Sequence, residues 1–494
     1  MLFNSFEFLL FFPLVTLVYF VIPRKVRYLW LLAASYYFYM CWSAKYALLL
    51  LFSTFITYLS GILMEKIKHT EKSEAEKTKA KKWVVAGSVL LNLGVLGYFK
   101  YTNFLFDALG RVVHAVGLEW EIPQFSIVLP VGISFYIFQA LSYTIDVYRD
   151  DIYAEKNFFR YALFVSFFPQ LVAGPIERSK NLLRQLAEPK EFDYQNVRDG
   201  LLIMLWGFFQ KMVIADRAAV LVNNVYGNVE AYSGYQLVIA SALFCIQIYC
   251  DFMGYSTIAM GAARVMGYRL MENFKNPFLA TSIKDVWQRW HISLGSWFRD
   301  YLYFPLGGGR RGKWIKYRNI IIVFTVSGLW HGAAYTFVIW GLLHGVYQVL
   351  EEILEPYVKG IIRRLHIRTE VFSWRVLQIC KTFILFDIAA VFFRADSVAT
   401  AVTVLKKSLL LGNSGMILNG GLYELGLDER NMILLILALL ILFVWAVMRE
   451  CKINVLAWIG KQNVFMRYLL YWGAVVLIIF SMDTVGAEFI YFQF

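Results

Sequence analysis

Two histidines lie in a strongly apolar stretch of the sequence, residues 327–345, which reads SGLWHGAAYTFVIWGLLHG. They are His331 and His344, and the whole chain of 494 residues has only six histidines. Imidazole has an unperturbed pKa of about 6.5, so it can take up or release a proton near neutral pH. The stretch is therefore a candidate for general acid–base chemistry in apolar surroundings.

Small residues flank His331 and distinguish it from His344. Such residues allow another backbone or a ligand to come close, and the ones near His331 are Ser327, Gly328, Gly332, Ala333 and Ala334. His344 has only Gly341 and Gly345 nearby. A single histidine in a membrane helix is more commonly a hydrogen-bonding group between helices than a catalyst. We therefore predict a functional role for His331 and a structural one for His344.

A third histidine, His291, belongs to residues 281–318, whose first part is dense in aromatic residues yet interrupted by charged side chains. This mixture is typical of a segment that lies at the membrane interface or enters the protein part-way. If residues 331–344 formed one helix, its rise would separate His331 from His344 by roughly 20 Å. We predict His291 as the partner of His331 instead, because a separate segment can approach from the side.

The composition indicates a membrane protein. The chain is 59% hydrophobic and 17% charged, whereas soluble domains are about half apolar and about a quarter charged. Apolar runs recur from end to end, and residues 432–448 and 468–482 each approach the ~20 residues that a transmembrane helix needs. We predict an all-α polytopic membrane protein, one domain over residues 1–494, with about 11–14 transmembrane or re-entrant helices. Residues 6–22 are predicted as a retained helix, since their basic flank follows them.

The positive charge of the chain fits membrane topology better than nucleic-acid binding. Lys and Arg number 48 against 35 Asp and Glu, a net charge of +13, and cytoplasmic loops of membrane proteins are enriched in Lys and Arg. Residues 64–82 are predicted as a charged cytoplasmic linker. In the basic loop of residues 307–318, Arg310, Arg311 and Lys313 are candidates to contact phosphate groups of lipid or of a cytoplasmic cosubstrate.

Charged side chains also interrupt the apolar segments: Asp146, Lys211, Asp216, Arg217, Asp251 and Arg394. A charge at bilayer depth costs on the order of 2.5–3.5 kcal/mol, so each is predicted to be paired, interfacial or exposed to a polar chamber. The predicted substrate-site residues besides the histidines are Trp287, Gln288, Arg289, Trp290, Ser327, Trp330, Asp251 and Tyr255. The five cysteines show no metal-ligand spacing, which predicts buried inert thiols and no metal site.

Several longer motifs resemble one family. They are VWQRWHISLGSWFRDYLYFPLGG, followed by SGLWHG, with LPVGISFYIFQALSYTIDVYRD, FPQLVAGPIER and DFMGYSTIAMG elsewhere. Together they resemble the membrane-bound O-acyltransferase (MBOAT) family, in particular its bacterial branch that contains the alginate O-acetyltransferase membrane subunit. The resemblance implies a bundle of helices around a central tunnel. It also implies that His331 is the central catalytic histidine and that His291 is the second polar position.

The resemblance further implies acyl transfer to a hydroxyl, for which His331 is predicted as the general base and His291, with Trp287 or Arg289, as a polarising or positioning group. The expected donor is cytoplasmic acetyl-CoA, with no tightly bound cofactor. The expected acceptor is an extracytoplasmic polysaccharide or a partner acetyltransferase, at the bacterial cytoplasmic membrane. A covalent acyl-histidine stays open. The alternatives are D-alanyl transfer to teichoic acid from a carrier-protein thioester, and a glycan transporter without catalysis.

Overall fold

A computed structural model describes residues 1–118, 123, 125–410, 412, 415, 420–481 and 489–490. The α-helices of the first half are α1 (Phe6–Val21), α2 (Arg27–Met40), α3 (Ala44–Lys68), α4 (Glu74–Leu96), α5 (Thr102–Ala115), α6 (Ile133–Tyr148), α7 (Phe158–Ser166), α8 (Phe168–Leu171), α9 (Leu182–Ala187), α10 (Tyr194–Phe208), α11 (Asp216–Gly227) and α12 (Gly234–Val265). Those of the second half are α13 (Ile283–Arg289), α14 (Ile292–Phe298), α15 (Lys313–His331), α16 (Tyr335–Arg364), α17 (Phe372–Arg394), α18 (Val398–Leu409), α19 (Glu429–Glu450), α20 (Val455–Gly460) and α21 (Val464–Ser481). The described residues form no strand, so the predicted all-α class is confirmed.

Seven stretches of helix in the described residues are long and apolar enough to cross a membrane. They are Ala44–Lys68, Glu74–Ala115, Gly234–Val265, Tyr335–Arg364, Phe372–Arg394, Glu429–Glu450 and Val464–Ser481. Phe6–Val21 is a shorter apolar helix. The protein is therefore a multi-pass membrane protein; the predicted count of 11–14 embedded helices, which included shorter re-entrant pieces, stays a prediction.

The backbone groups into two compact units. The first is Met1–Met204 with Ile258–Met271, and the second is Leu205–Thr257 with Glu272–Phe494. Helices α10 and α12 contribute residues to both. The prediction of one domain stays a prediction, and each unit is described by itself.

In the first unit, the charged linker is almost entirely helical. Helix α3 continues to Lys68 and α4 starts at Glu74, so few residues of the predicted linker lie outside a helix. Ser73 and Glu76 form a reciprocal capping box at the start of α4, which satisfies backbone N–H groups there. Buried Glu177 of the FPQLVAGPIER motif accepts hydrogen bonds from the backbone of Met271 and from Asn181. Burial raises the pKa of Glu177 to about 7.

In the second unit, α15 and α16 form a tightly packed hairpin. A Cβ atom added at Gly341 would lie 3.1 Å from the Cα atom of Gly328, so the two backbones touch where both residues lack a side chain. The assumption of one helix across residues 331–344 is wrong. Helix α15 ends at His331 and α16 begins at Tyr335, because Gly332 and Ala334 adopt extended backbone conformations between them.

The prediction of five buried thiols is wrong for three of the cysteines. Cys245 and Cys250 are buried, whereas Cys41, Cys380 and Cys451 are exposed on the protein surface. Apolar segments of a membrane protein turn part of their surface to lipid, so an apolar sequence context does not distinguish a lipid-facing cysteine from one in the core.

Candidate functional site

His331 is the last residue of α15, and its position depends on the glycine that follows. A Cβ atom added at Gly332 would collide with the ring of Phe337, so only glycine allows the chain to leave the helix here. The His331 side chain is buried, with 3% of the residue exposed. The helix end thus places an imidazole inside the second unit rather than at its surface.

Aromatic rings surround His331 on several sides. Its ring centroid lies 5.0 Å from that of Trp330, 5.0 Å from that of Trp340 and 5.5 Å from that of Phe393. Beside it is a cavity of about 10 Å³, lined by Phe244, Ile248, Trp290, His331, Trp340, Phe386, Ala390 and Phe393. That volume suits about one water-sized group. The imidazole therefore faces a small, largely apolar space.

His291 stands between α13 and α14 in a left-handed backbone conformation, with φ 44° and ψ 52°. This conformation is costly for a residue with a side chain, by about 1–3 kcal/mol, and needs support from its surroundings. The neighbouring segment supplies that support. Ile292 N donates to the carbonyl oxygen of Asn273 at 3.0 Å, and Lys275 N donates to that of Arg289 at 2.8 Å.

The structure brings the rings of His291 and His331 together, with 6.3 Å between their centroids. His291 also contacts Phe252 edge-on at 4.7 Å and Trp330 at 5.9 Å. Its Nδ1 atom lies 3.2 Å from Oδ1 of Asn273. Burial lowers the pKa of His291 to about 3, so its imidazole is neutral at physiological pH.

His344 lies closer to the site than a single helix would have placed it. The ring of Trp340 separates it from His331, at 5.1 Å from His344 and 5.0 Å from His331. Trp287 packs against His344 at 5.0 Å and against Trp340 at 5.6 Å. The predicted site residue Trp287 therefore extends the aromatic surroundings on the side of His344.

The other predicted site residues of residues 281–330 divide into two groups. Trp290 lines the cavity, Trp330 contacts both histidines of the pair, and Ser327 is buried on α15. Gln288 is exposed. Arg289 forms ion pairs with Asp285 at 2.7 Å and with Glu450 at 2.9 Å, so its charge is paired within the protein.

Asp251 belongs to a second buried cluster, whereas Tyr255 packs on a ring that also contacts Phe252. The Nζ atom of Lys211 lies 2.6 Å from Asp251 and 2.8 Å from Asp216. Asp251 also accepts a hydrogen bond from the backbone of Ile490 at 2.8 Å, and Tyr255 packs on Phe489 at 4.7 Å. The predicted pairing of charged groups in apolar segments is therefore present here.

The basic loop lies at the opposite end of α15 from His331. Arg310, Arg311 and Lys313 are exposed, and Asn319 of α15 holds the loop by donating to the carbonyl oxygen of Gly308 at 2.9 Å. Lys313 begins this 19-residue helix, so it is roughly 27 Å along the helix axis from His331. These basic side chains cannot touch a small group bound beside the histidine.

The sequence did not single out Asn273, Phe252 or Phe393, although all three lie in the second unit and the first two touch His291. The sequence did offer a signal for Asn273, since it begins the polar stretch NFKNP. The structure buries Asn273 and Asn276 of this stretch. The two phenylalanines had none, since the apolar segments contain many others.

Comparison with known proteins gives concordant matches. Residues 34–388, which include both histidines of the pair, match the model of the membrane-bound O-acyltransferase family. A Pseudomonas putida protein named “Probable alginate O-acetylase AlgI” is 38% identical over 403 residues, covering 81% of this chain and 79% of that protein.

Two further relatives bear different names. The “Peptidoglycan O-acetyltransferase” of Helicobacter pylori is 33% identical over 441 residues, covering 82% of this chain and 79% of that protein. The “Teichoic acid D-alanyltransferase” of Bacillus subtilis is 29% identical over 303 residues, covering 55% of this chain and 74% of that protein. All three names refer to the transfer of a small acyl group, acetyl or D-alanyl.

Proposed function

The chain belongs to the membrane-bound O-acyltransferase family and is an O-acyltransferase, and from this premise we propose that it transfers acetyl groups from cytoplasmic acetyl-CoA. The acceptor is an extracytoplasmic polysaccharide, reached directly or through a partner acetyltransferase, and the protein resides in the cytoplasmic membrane of a bacterium. The names of the relatives with 33–38% identity support acetyl as the transferred group. Membership of an enzyme family decides against a transporter without catalysis.

The observation that carries this proposal is the pair of buried imidazoles, of which His331 lines a small cavity. His291 and His331 lie 6.3 Å apart between ring centroids, and the cavity at His331 has a volume of about 10 Å³. A space of this size favours the smallest acyl groups, because a long acyl chain would require the packed rings of Trp340 and Phe393 to move.

In the proposed reaction, His331 accepts the proton of the acceptor hydroxyl as the oxygen attacks the thioester carbonyl carbon. A tetrahedral oxyanion forms and then collapses, the carbon–sulfur bond breaks, and the proton on His331 passes to the departing thiolate. His291 positions the hydroxyl. Imidazole is suited to the first step because its neutral form has a nitrogen lone pair that can take up the proton.

The donor end of the proposal rests on the basic loop. Arg310, Arg311 and Lys313 are exposed, and Lys313 lies roughly 27 Å from His331 along α15. A donor that contacts both places must carry phosphates far from its thioester, as acetyl-CoA does. We expect the double variant R310A/R311A to raise the KM for acetyl-CoA about 3- to 10-fold with unchanged kcat, and more strongly at low salt. An unchanged KM would contradict this role of the loop.

D-alanyl transfer to teichoic acid is the second candidate, because the Bacillus subtilis relative with 29% identity bears that name. Its donor would be a carrier-protein thioester, and the exposed basic loop is equally suited to an acidic carrier protein. The two candidates differ in the group that is esterified, so a chemical assay of the product separates them.

The test is to quantify ester-linked acetyl and ester-linked D-alanine in the surface polymers of cells that carry wild-type protein or the His331→Ala variant. His114→Ala is the matched control, because His114 is exposed on α5. We expect acetyl esters to fall to background with His331→Ala at equal membrane levels and to stay at the wild-type amount with His114→Ala. Acetyl esters that persist in the His331→Ala cells would overturn the proposal, and loss of D-alanyl esters instead would establish the second candidate.

A further inference from the structure

Asn273 holds the segment around His291 from both its backbone and its side chain. Its carbonyl oxygen accepts from Ile292 N at 3.0 Å. Its side-chain Oδ1 accepts from Ser293 N at 3.2 Å and from the Ser293 hydroxyl at 2.9 Å, and it faces Nδ1 of His291 at 3.2 Å. Asn273 and His291 are each 1% exposed. Asn273, which is distant from His291 in sequence, therefore determines what the Nδ1 edge of the imidazole contacts.

The orientation of the Asn273 amide follows from chemistry alone. A backbone N–H group can only donate, so the amide atom that faces Ser293 N must be the oxygen. The amide nitrogen then points to Oγ of Ser256, at 3.4 Å. The flipped amide would place two donors against each other at Ser293 and is excluded.

The tautomer of His291 follows in turn. An amide oxygen has no proton, so Nδ1 of His291 must be the donor in its contact with Asn273. The Ser293 oxygen, 3.5 Å from the same Nδ1 atom, is a further acceptor for that proton. Because burial lowers the pKa of His291 to about 3, the ring carries no second proton at neutral pH, and its Nε2 atom has a lone pair.

We propose that Asn273 is the positioning residue that keeps the proton of His291 on Nδ1, so that Nε2 accepts a hydrogen bond from the hydroxyl that becomes acylated. The identity of that hydroxyl rests on the function proposed above, whereas the tautomer does not. His291 in this state orients the nucleophile towards the carbonyl carbon. Its Nε2 atom then cannot donate to the oxyanion of the tetrahedral intermediate, so of the two roles predicted for His291 this proposal favours positioning over polarisation.

The direct test is nuclear magnetic resonance of the full-length protein labelled with ¹⁵N and ¹³C in its histidines, in lipid bilayers at pH 7. Ring nitrogen shifts distinguish a protonated nitrogen from one with a lone pair, and the His291 signal is assigned by its loss in His291→Gln. We expect a proton on Nδ1 and a lone pair on Nε2. A proton on Nε2, or on both nitrogens, would overturn the proposal.

Three variants connect the tautomer to turnover. Asn273→Leu removes the acceptor, and we expect a mixture of tautomers with kcat lower by on the order of 10- to 100-fold and KM nearly unchanged, as for other residues that orient an imidazole through its second nitrogen. Asn273→Asp keeps an acceptor oxygen at Nδ1 and should retain the tautomer. Asn276→Ala is the matched control, because Asn276 lies in the same loop as Asn273 but donates to the carbonyl oxygen of Ala446 on α19. This variant should leave the His291 signal unchanged.

The results separate the two proposals. An Asn273→Leu protein with the wild-type His291 signal or the wild-type kcat would overturn the role of Asn273. Wild-type protein that transfers no acyl group from any thioester would overturn the proposed function, while the ring nitrogen shifts would still decide whether Asn273 sets the tautomer. If Asn273→Leu fails to fold, the wild-type spectrum and Asn273→Asp still give a decision.

Discussion

Two clusters of buried polar side chains lie in the second unit, and they differ in charge. One contains His291, Asn273 and His331 among aromatic rings, and its members are joined by neutral hydrogen bonds and ring contacts. The other contains Lys211, Asp216 and Asp251, with Nζ–oxygen distances of 2.8 Å and 2.6 Å. The sequence motifs suggested site residues in both clusters, and in the first of them His331 lines the small cavity described above.

The difference follows from the energetics of buried charge. An ion in an apolar interior must be matched by a partner, and each charge of the Lys211 cluster is bound to an opposite one. A neutral imidazole carries no such requirement, so it can keep a lone pair for a substrate. We therefore expect the Lys211 cluster to stabilise the fold and the pair of imidazoles to carry the chemistry.

The largest expected effect tests the first cluster. We expect His331→Ala to lower kcat/KM for acyl transfer by at least about 1,000-fold, which corresponds to about 4 kcal/mol, and His344→Ala to lower it by less than about 10-fold. Steady-state assays of purified protein measure both, and the melting temperature in detergent shows that both variants are folded. Equal losses of kcat/KM in the two variants would contradict the different roles assigned to His331 and His344.

The second cluster should respond in stability rather than in chemistry. Lys211→Met leaves two buried carboxylates without their cation, and we expect it to lower the free energy of unfolding by about 3–5 kcal/mol. The activity per folded molecule should stay within a few-fold of the wild type. The double variant K211M/D251N removes one of the two carboxylate charges as well, so it should recover part of the lost stability. Denaturant unfolding measures both variants, and a stable but inactive Lys211→Met protein would assign this cluster to catalysis instead.

A smaller effect concerns the helix hairpin that carries His331. Gly341→Ala brings a Cβ atom within 3.1 Å of Gly328 Cα and against the backbone oxygen of Phe324, and we expect a loss of about 1–3 kcal/mol. Gly360→Ala is the matched control on the same helix, because a Cβ atom there has no neighbour within 4 Å. It should be neutral or stabilising by up to about 1 kcal/mol. Thermal unfolding measures both, and equal destabilisation would contradict the close contact of α15 with α16.

The smallest effect is the pH dependence that His291 contributes. Its pKa is about 3 in the folded protein against about 6.5 when unfolded, so the unfolded chain binds more protons below pH 6.5 and stability falls as the pH falls. Between pH 7.5 and 5.5 we expect a loss of about 1.4 kcal/mol relative to His291→Gln. Glu177 acts in the opposite direction, since its raised pKa favours the folded state at low pH. Both proteins contain Glu177, so its contribution cancels when their free energies of unfolding are compared at each pH. If the difference in free energy were the same at both pH values, His291 would bind its proton in the folded protein as well.

The amino-acid sequence by itself determined the class of the protein and the identity of the pair of histidines. Apolar runs of helical length require a membrane, and the small residues around His331 indicated close packing, which Gly328 and Gly341 confirm. It could not predict the break after His331, since glycine and alanine also occur within helices and no proline marks the end.

Only the tertiary structure decided which polar groups meet. Trp340 lies between His331 and His344, and Asp251 is paired with Lys211 rather than directed to the cavity. Asn273 forms a hydrogen bond with His291, although the residues between them show no periodic pattern that would predict this contact. Secondary structure follows from local residue patterns, but the tautomer of an imidazole and the partner of a buried charge depend on contacts between distant segments, which form only when the chain packs.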